Sequence, residues 1–349
     1  MKKPKAAEPG SVINSELRKQ MLETARALED ASSWVIFSHI KLDGDAIGSS
    51  TALFEAGLNQ GKRVRWMGVD PVPPNYSFLP HVDKHIIRKK YKFDSEDDLY
   101  IFLDSANESR GVEGLKERSP RTAVVNIDHH EDNTLFGTLN CVDAEASSTS
   151  EVLWRIMTAA NWPITQTIAE CFYTGVTADT GWFAFTNTTS TTHLMAADLL
   201  AKGVDPPRIY SCVRNNRSIE GLRLWGLAFL RIFRWGESGQ FAMTWLTRRD
   251  FAAVNAVASE TEMLINQIMT IQDVSFAVLL TDDEETRQVR ASFRSKEGIV
   301  TAATVARSLG GGGHSRAAGA QLAFPLADAI QIVRETVEKA YAEWAVTDR

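Results

Sequence analysis

The sequence predicts a two-domain α/β protein whose first domain contains a mostly parallel β-sheet flanked by helices. Three observations support this prediction. The chain has 349 residues, and a single hydrophobic core rarely serves more than about 250 residues. Short apolar runs typical of buried strands alternate with helical segments in the first half of the chain, an order that favours parallel strands. A second block of strands and helices begins near Gln240.

The elements of the first domain follow from apolar spacing and from residues that break regular structure. A helix is predicted over residues 15–30, with Ser15 as its candidate cap. A second helix is predicted to end near Gln60, where Gly61 follows, and a third covers residues 147–160. Strands are predicted at residues 34–37, 64–69, 99–103, 124–127 and 171–178.

A helical linker is expected to join this domain to a smaller α/β domain. Helical segments are predicted at 192–202 and 219–233, with a break at Pro206 and Pro207. The second domain has predicted strands from residue 240, at 274–280 and at 289–293, and a final helix at 326–344. We therefore place the first domain at residues 1–190, the linker at 191–235 and the second domain at 236–349.

Acidic and imidazole side chains follow four of the predicted strands in the first domain. The carboxyl ends of parallel strands meet at one edge of a sheet, which is where open α/β sheets bind their ligands. A single such residue is an ordinary turn residue, but four strand ends of this kind indicate a site. The residues expected to converge are His39, Asp43, Asp45, Asp104, Asp128, His129, His130 and Asp179.

This set of side chains indicates a centre with two divalent cations. Carboxylates with a minority of imidazoles and no thiolate favour Mn²⁺ or Mg²⁺ over structural zinc. So many acids would raise one another's pKa if no cation were present, and a single cation would leave carboxylates unpaired. Two metal ions activate a water molecule and stabilise the oxygens of a transferring phosphoryl group, so the predicted reaction is phosphoester hydrolysis. A charged sheet edge without metal is the alternative interpretation.

The same residues carry a family resemblance. Residues 38–49, 104–105, 128–130 and 179–181 resemble, in this order, the four motifs of the DHH phosphoesterase superfamily. Residues 310–319, four glycines followed by His314 and a short small-residue run, resemble the signature of the C-terminal domain associated with its first subfamily. The resemblance covers nearly the whole chain, and it is specific because the motifs match in order as well as in content.

The resemblance implies a role for each residue of the set. It implies two Mn²⁺ ions, with Mg²⁺ as the second candidate ion. One ion would be held by His39, Asp43 and Asp104, and the other by Asp45, Asp104, His129 and Asp179, so that Asp104 bridges the two. His130 would contact the phosphate or the leaving group, and Asp128 would orient an imidazole, as metal sites commonly require.

The resemblance also implies that the second domain binds the substrate across a cleft between the domains. Glycines allow backbone N–H groups to approach a phosphate closely. Residues 287–316 contain six Arg or Lys residues, including Arg287, and one acid, which suits an anionic ligand of limited size. A flexible glycine loop, and a solvated face for Arg290 and Arg307, are the alternatives. The expected substrate-binding residues are Arg110, Ser292, Arg294, Gly311, Gly312, Gly313, His314 and Arg316.

Composition restricts the partners and the compartment. The net charge of −6 argues against a protein that coats long nucleic acid. There is no apolar run near the roughly 18 residues that a membrane span requires. Three widely spaced cysteines fit reduced thiols better than disulfides. We therefore expect a cytoplasmic protein. The family resemblance implies short RNA or DNA oligonucleotides or small nucleotide phosphates as ligands, and analogy with relatives implies a homodimer.

Within the superfamily, the compact two-domain arrangement is similar to nanoRNase or oligoribonuclease enzymes. RecJ-type nucleases and membrane-bound cyclic-dinucleotide phosphodiesterases carry further domains, and family II pyrophosphatases have a different C-terminal domain. The similarity implies hydrolysis of short oligoribonucleotides to mononucleotides, with removal of the 3′-phosphate of adenosine 3′,5′-bisphosphate as an additional expectation. Two alternatives are a stand-alone phosphodiesterase of cyclic dinucleotides or their linear products, and a non-catalytic nucleotide sensor.

Overall fold

The computed structural model describes residues 15–93, 95, 98–215, 217–261, 263–282 and 288–347. Arg287, one of the basic residues noted above, lies outside the described residues, as do the side chains of His314 and Thr347. The chain divides into two compact units, residues 1–216 and 217–349. The boundary lies within the stretch predicted as a linker. None of the helices in the described part has the length and apolarity needed to cross a bilayer.

Unit 1 contains a six-stranded sheet, which confirms the predicted parallel architecture. The strands are β1 (Ser33–Ser38), β2 (Arg63–Gly68), β3 (His85–Ile87), β4 (Asp98–Leu103), β5 (Val124–Asp128) and β6 (Leu139–Val142). Their order is β3-β2-β1-β4-β5-β6 and every neighbouring pair is parallel. The strand order reverses between β1 and β4. The carboxyl ends of these two strands therefore flank the crevice where open α/β sheets bind ligands.

Helices cover one face of this sheet. They are α1 (Ser15–Asp30), α2 (Gly44–Asn59), α3 (Thr149–Ala159), α4 (Gln166–Asp179), α5 (Ser190–Ala201) and α6 (Pro206–Arg214). Successive side chains of a strand point to opposite faces, so Trp34 and Ile36 of β1 pack under the helices while Val35 and Phe37 face the other way. That second face is covered by segments between strands, which contribute Phe93, among others. Among the described residues, the helical contribution to this face is a single 3-10 turn, which supplies Leu115.

The segment 171–178, predicted as a strand, lies instead in helix α4. The side chain of Thr165 caps this helix by accepting a hydrogen bond from the N–H of Ile168 (3.3 Å). Most residues of the segment are buried, and a helix buried on all sides lacks the 3.6-residue periodicity that would distinguish it from a buried strand. The predicted fourth strand end is therefore wrong, and Asp179 lies at the end of a helix.

The break predicted at Pro206 and Pro207 is also wrong in part, because α6 begins at Pro206. Proline is compatible with the first turn of a helix, where its missing N–H has no intrahelical partner. The side chain of Asp205 caps this turn by accepting from the N–H of Arg208 (3.2 Å).

Helices α2 and α4 approach each other to backbone contact. A Cβ on Gly48 would lie 2.6 Å from the carbonyl oxygen of Cys171 and 2.8 Å from the nitrogen of Gly175. A Cβ on Gly44, one turn earlier, would lie 2.4 Å from the Cβ of Ala178. Residues four apart share one face of a helix. Glycines on one face of α2 therefore determine its distance from α4, and each helix carries one carboxylate of the predicted centre.

Unit 2 is a second α/β unit with a mixed sheet. Its elements are α7 (Ile219–Leu230), β7 (Phe233–Trp235), β8 (Phe241–Leu246), α8 (Arg248–Val254), α9 (Leu264–Ile268), β9 (Phe276–Asp282), β10 (Val289–Ser295), α10 (Ala302–Ser308), β11 (Gly312–His314), β12 (Ala317–Leu322) and α11 (Leu326–Thr347). The strand order is β11-β12-β10-β9-β8-β7, and β8 with β9 forms its parallel pair. Helices α10 and α11 pack on one face, and α7 to α9 pack on the other.

Candidate metal centre

The eight residues expected to converge come together at the carboxyl edge of the unit 1 sheet. All of them except Asp128 form three overlapping sets, and within each set one candidate ligand atom per residue lies within 4.8 Å of the others. The three sets are His39–Asp43–Asp104, Asp45–His129–Asp179 and Asp104–His129–His130. Three of the contributing segments follow strands β1, β4 and β5, and the fourth is the end of α4.

His39 directly follows β1 and faces two carboxylates. Its Nε2 lies 3.2 Å from Oδ2 of Asp104 and 3.6 Å from Oδ2 of Asp43. Its Nδ1 lies 2.6 Å from the carbonyl oxygen of Ile40, so a proton on Nδ1 leaves Nε2 as the atom available to a metal. Asp43 is the N-cap of α2, where its Oδ1 accepts from the N–H groups of Asp45 (3.1 Å) and Ala46 (3.0 Å). This capping leaves Oδ2 of Asp43 directed at His39.

Asp104 follows β4 in a left-handed backbone conformation. Its φ of 55° lies in a region that non-glycine residues rarely adopt and that costs of order 1 kcal/mol. Its N–H still donates to the carbonyl of Ile127 (3.1 Å), which continues the pairing of β4 with β5. The side chain is buried, with Oδ2 near His39 and Oδ1 3.6 Å from Nε2 of His129. The two oxygens of Asp104 thus face two different ligand sets, which is the arrangement that a bridging carboxylate requires.

Asp45 is fully buried against the start of α3. Its Oδ2 accepts from the N–H of Thr149 (2.6 Å) and its Oδ1 from the N–H of Ser150 (3.0 Å). These are the first two residues of α3, where unpaired N–H groups and the helix dipole stabilise a negative charge. Each carboxylate oxygen has a second lone pair. The hydrogen bonds therefore fix Asp45 without consuming its capacity to bind a metal.

His129 and Asp179 complete the second set. Nε2 of His129 lies 3.0 Å from Oδ2 of Asp179. Nδ1 of His129 lies 3.4 Å from the carbonyl oxygen of Ala146, a partner that favours the tautomer with its proton on Nδ1. The unprotonated Nε2 then faces Asp179, in the position of a metal ligand.

The chain turns sharply after Asp179 because α4 ends in a Schellman motif. The N–H of Gly181 donates to the carbonyl of Ala178 (3.2 Å), and the N–H of Trp182 donates to that of Thr177 (2.7 Å). Gly181 has a φ of 54°, the left-handed conformation that this motif requires at the residue after the cap. The glycine two residues after Asp179 thus ends the helix at the metal centre.

His130 is oriented by Asp128. Its Nδ1 lies 2.8 Å from Oδ1 of Asp128, and the Nδ2 group of Asn133 donates to Oδ2 of the same carboxylate (2.6 Å). The Asp128 side chain is fully buried, so this pair holds the imidazole in one direction. Nη1 of Arg110 lies 3.5 Å from Nε2 of His130, which places a guanidinium beside the imidazole.

The electrostatics of the centre favour bound cations. Burial raises the pKa of Asp45, and the carboxylates of Asp104 and Asp179 raise it further. Burial also raises the pKa of Asp179 to about 6, against the opposite effect of His129 and with smaller contributions from Asp43 and Asp104. Burial opposes protonation of His39, but Asp104 and Asp43 outweigh it and raise its pKa to about 11. The carboxylates are thus stabilised by positive charge between them. Oxygen and imidazole donors of this kind fit hard divalent cations that replace the protons.

A buried ionic network behind the centre was missed by sequence reasoning. Glu151 of α3 is fully buried and accepts hydrogen bonds from the N–H of Ser147 (3.2 Å) and the hydroxyl of Thr192 (3.0 Å). Arg155 donates to Glu151 and also to Oδ2 of Asp143 (2.6 Å). This network fixes the start of α3 at the point where that helix meets Asp45.

Thr149 is a second residue that the sequence analysis missed. Its hydroxyl donates to Oδ1 of Asp104 (3.1 Å), and its N–H donates to Asp45. The available signal was the Ser-Ser-Thr-Ser-Glu run at 147–151, which is typical of a helix N-terminus. The side chain of Ser148 does accept from the N–H of Glu151 (3.0 Å).

In unit 2, the predicted substrate residues follow the register of three neighbouring strands. Arg294 of β10 is paired with Ala317 of β12, which is paired with His314 of β11. Ser292, Gly319 and Gly312 form the cross-strand row two residues further along. Burial lowers the pKa of the Arg294 guanidinium.

Two of the predicted glycines have a packing role between strands. A Cβ on Gly311 would lie 2.1 Å from the carbonyl oxygen of Gly319, and one on Gly313 would lie 2.7 Å from that of Ala317. A Cβ on Gly312 would meet no atom within 4 Å. Arg316 forms an exposed ion pair with Glu297 (2.8 Å), a contact of the kind that contributes little stability.

The chain is similar to known proteins over most of its length. Residues 33–176 match the DHH family, N-terminal domain, and residues 250–343 match the DHHA1 domain. The chain is 28% identical over 322 residues to the bifunctional oligoribonuclease and PAP phosphatase NrnA of Bacillus subtilis, covering 91% of this chain and 98% of the relative. It is 32% identical over 315 residues to the protein of the same name from Thermus thermophilus, covering 87% of this chain and 89% of that relative.

A solved structure extends the likeness to the fold of the whole chain. An exopolyphosphatase-related protein from Bacteroides fragilis is 27% identical and superposes with a TM-score of 0.86, covering 93% of this chain and 97% of that protein. The resemblance inferred from the motifs is thus confirmed. The chain belongs to the DHH family, and it combines the N-terminal domain of that family with a DHHA1 domain.

Proposed function

We propose that this chain is a metal-dependent phosphoesterase that hydrolyses short oligoribonucleotides to mononucleotides and removes the 3′-phosphate of adenosine 3′,5′-bisphosphate. The observation that carries the proposal is the pair of ligand sets on either side of Asp104. The names of the relatives from B. subtilis and T. thermophilus support the substrate class. Both activities cleave a phosphate ester, so one centre serves both.

The proposed cofactor is a pair of Mn²⁺ ions, with Mg²⁺ as the second candidate. His39, Asp43 and Asp104 would hold one ion, and Asp45, Asp104, His129 and Asp179 would hold the other. When bound, two such ions activate a water molecule and stabilise negative charge on the phosphoryl oxygens. The mixture of carboxylate and imidazole donors supports this choice of metal.

His130 and Arg110 are the proposed groups that act on the substrate directly. Burial opposes protonation of His130, but Asp128 outweighs it and raises the pKa of the imidazole. A protonated His130 can then give its Nε2 proton to the oxygen of the leaving nucleoside. Arg110 lies beside that nitrogen, where its guanidinium would bind a phosphate oxygen through charge-assisted hydrogen bonds.

The proposal assigns nucleotide binding to unit 2, through residues in and next to strands β10 and β11 and in the turn between β11 and β12. These are Ser292, Arg294, Gly311, Gly312, Gly313, His314 and Arg316. A homodimer and a cytoplasmic location are also part of the proposal. The three free cysteines support a reducing compartment.

A substrate panel tests the proposed activity. RNA di- to pentanucleotides, cyclic di-AMP, its linear form, adenosine 3′,5′-bisphosphate and pyrophosphate are incubated with Mn²⁺, Mg²⁺ or EDTA. We expect mononucleotides from the RNA substrates and release of phosphate from the bisphosphate, both dependent on metal. Turnover of the cyclic dinucleotide alone, or nucleotide binding by a metal-free and inactive protein, would overturn the substrate assignment.

Asp104→Ala is the matching variant, since it removes the carboxylate placed between the two ligand sets. Turnover should be lost and the number of bound metal ions should fall. Asp132→Ala is the control, because Asp132 is exposed, lies two residues after the motif at 128–130 and belongs to none of the three sets. Full activity in Asp104→Ala would contradict the bridging role.

A further inference from the structure

An open cleft of about 900 Å³ lies in unit 1, away from the ligand sets. Its walls are two segments that cross the sheet face opposite α1 to α6, residues 88–93 after β3 and residues 114–119 between β4 and β5. This volume is in the range of sites that bind small organic ligands.

The walls of the cleft are held together by their backbones. The N–H of Tyr91 donates to the carbonyl of Glu113 (2.9 Å), and the N–H of Glu113 donates to that of Lys89 (2.9 Å). A Cβ on Gly114 would lie 2.2 Å from the carbonyl oxygen of Tyr91, so the two segments touch where this glycine lies. The cleft is therefore a formed feature of the fold.

The lining of the cleft is basic, although the chain as a whole has a net charge of −6. Arg88, Lys90, Lys92 and Arg118 line it together with a single acid, Glu117. Lys90 lies 3.4 Å from Glu117, and both side chains are exposed, so this pair is weak and open to exchange. Arg118 donates to the carbonyls of Leu115 (3.1 Å) and Phe136 (3.2 Å), which hold its guanidinium at the wall. A locally positive cleft in an acidic protein attracts an anion.

One short segment connects this cleft to the metal centre. Arg110 lies beside His130 at the centre, and Gly114, four residues later, lines the cleft. Four residues span at most about 14 Å, which is an upper limit on the distance from Arg110 to Gly114. A stacked nucleic-acid strand carries one phosphate per roughly 3.4 Å, so a strand of about five nucleotides covers even that limit. A pentanucleotide whose end lies at the centre is therefore long enough to reach the cleft, and it extends further towards the cleft than a dinucleotide does.

We propose that this cleft is a second phosphate-binding site, which takes the sugar–phosphate backbone of an oligonucleotide whose reacting end lies at the metal centre. The inference rests on the proposed function and adds a dependence on substrate length. The cations on both walls bind successive phosphates of a longer substrate, which a dinucleotide lacks.

The double variant Arg88→Gln/Lys90→Gln tests the proposal. Both side chains are exposed, so the fold should tolerate the change, and the unfolding temperature checks this. Lys19→Gln/Arg26→Gln is the control, because it removes two exposed charges from α1 on the opposite face of the sheet. Steady-state kinetics with an RNA dinucleotide and a pentanucleotide are measured at 50 to 200 mM salt. Binding of a labelled pentanucleotide is measured separately in EDTA, where no hydrolysis occurs.

For the pentanucleotide, the cleft variant should raise KM and the dissociation constant on the order of tenfold. The slope of log affinity against log salt should become shallower by about 1.4, or about 0.7 for each lost phosphate contact. Dinucleotide kinetics should stay unchanged, and the α1 variant should match the wild type throughout.

The outcomes separate this inference from the proposed function. If the wild type hydrolyses neither RNA, the proposed function fails. If it hydrolyses both and the cleft variant keeps the wild-type pentanucleotide affinity and salt slope, the cleft proposal alone fails. It also fails if the α1 variant weakens pentanucleotide binding equally, or if free AMP binds with the same sensitivity to Arg88 and Lys90, which would make the cleft a mononucleotide site.

Discussion

Gly48→Ala tests whether backbone contact between α2 and α4 determines the spacing of the carboxylates proposed to bind metal. The new Cβ would lie 2.6 Å from the carbonyl oxygen of Cys171, whereas ordinary contact begins at 3.4 Å. The difference between 3.4 and 2.6 Å means that the helices must separate by about 0.8 Å. The three nearest atoms all belong to the backbone of α4, so rotation of a side chain cannot relieve these contacts.

The expected effect on stability is small and the expected effect on catalysis is large. Overpacking costs about 1–3 kcal/mol, and the higher helix propensity of alanine offsets about 1 kcal/mol of this. Asp45 on α2 and Asp179 on α4 would move apart, and a misplacement near 1 Å at an active site costs about 10²-fold in rate. We therefore expect weaker Mn²⁺ binding and a kcat reduced about 10- to 100-fold in a protein that remains folded.

Calorimetric titration with Mn²⁺, turnover of an RNA dinucleotide and urea unfolding are the measurements. Gly226→Ala in α7 is the matched control, because a Cβ at Gly226 would meet no atom within 4 Å. That variant should gain up to about 1 kcal/mol of stability from helix propensity and keep wild-type activity. If Gly48→Ala binds Mn²⁺ and turns over substrate like the wild type, the contact between the helices does not control the centre.

Three further predictions concern the charges of the centre. Asp128→Asn should lower kcat about 10²-fold without changing Mn²⁺ affinity, because the neutral amide no longer raises the pKa of His130; a pH–rate profile identical to the wild type would refute this. Removal of metal with EDTA should lower the unfolding temperature by about 5–10 °C, since an ion at 100 times its dissociation constant contributes about 2.7 kcal/mol to the folded state; an unchanged unfolding temperature would argue against a metal site. Mn²⁺ binding at pH 7.5 should release protons, because the pKa of His39 is about 11 without metal and its Nε2 must lose a proton to bind one. Metal affinity should therefore rise with pH, by up to tenfold per unit for this group. The metal-free protein, in contrast, has a stabilising contribution from protonated His39 that is complete below pH 6.5 and is lost as the pH rises towards 11. Calorimetry in buffers of different ionisation heat measures the proton release, and no dependence on the buffer would contradict the prediction.

The sequence predicted the sheet of unit 1 and the convergence of its acids because these depend on local patterns. Apolar runs before Asp104 and Asp128 have the length of buried strands, and parallel strands bring their ends to one edge. The α4 segment failed the same reasoning, because a helix buried on all sides and a buried strand have similar composition. Its C-terminal signal was nevertheless present in Gly181, which adopts the positive φ of a helix end.

The contacts that fix the ligands could not be read from the sequence. Asp45 depends on N–H groups of α3 that are 104 and 105 residues away in the chain. Glu151 depends on Thr192, 41 residues away. Such partners follow from how helices pack in three dimensions, and the left-handed conformation of Asp104 likewise follows from its place between β4 and the centre. Local residue patterns carry no information about either.

The distribution of the ligands along the chain has a consequence for how the metals would be loaded. His39, Asp43 and Asp104 come from the ends of the adjacent strands β1 and β4 and from the cap of α2, so the first set is complete once these elements have formed. The second set also needs Asp179, at the far end of α4. Local opening of α4 would release the second ion while the first remains bound. The protein would then pass through a state in which the sheet is folded, one metal ion is bound and the substrate is not hydrolysed. Activity would begin once α4 packs and Asp179 completes the second set.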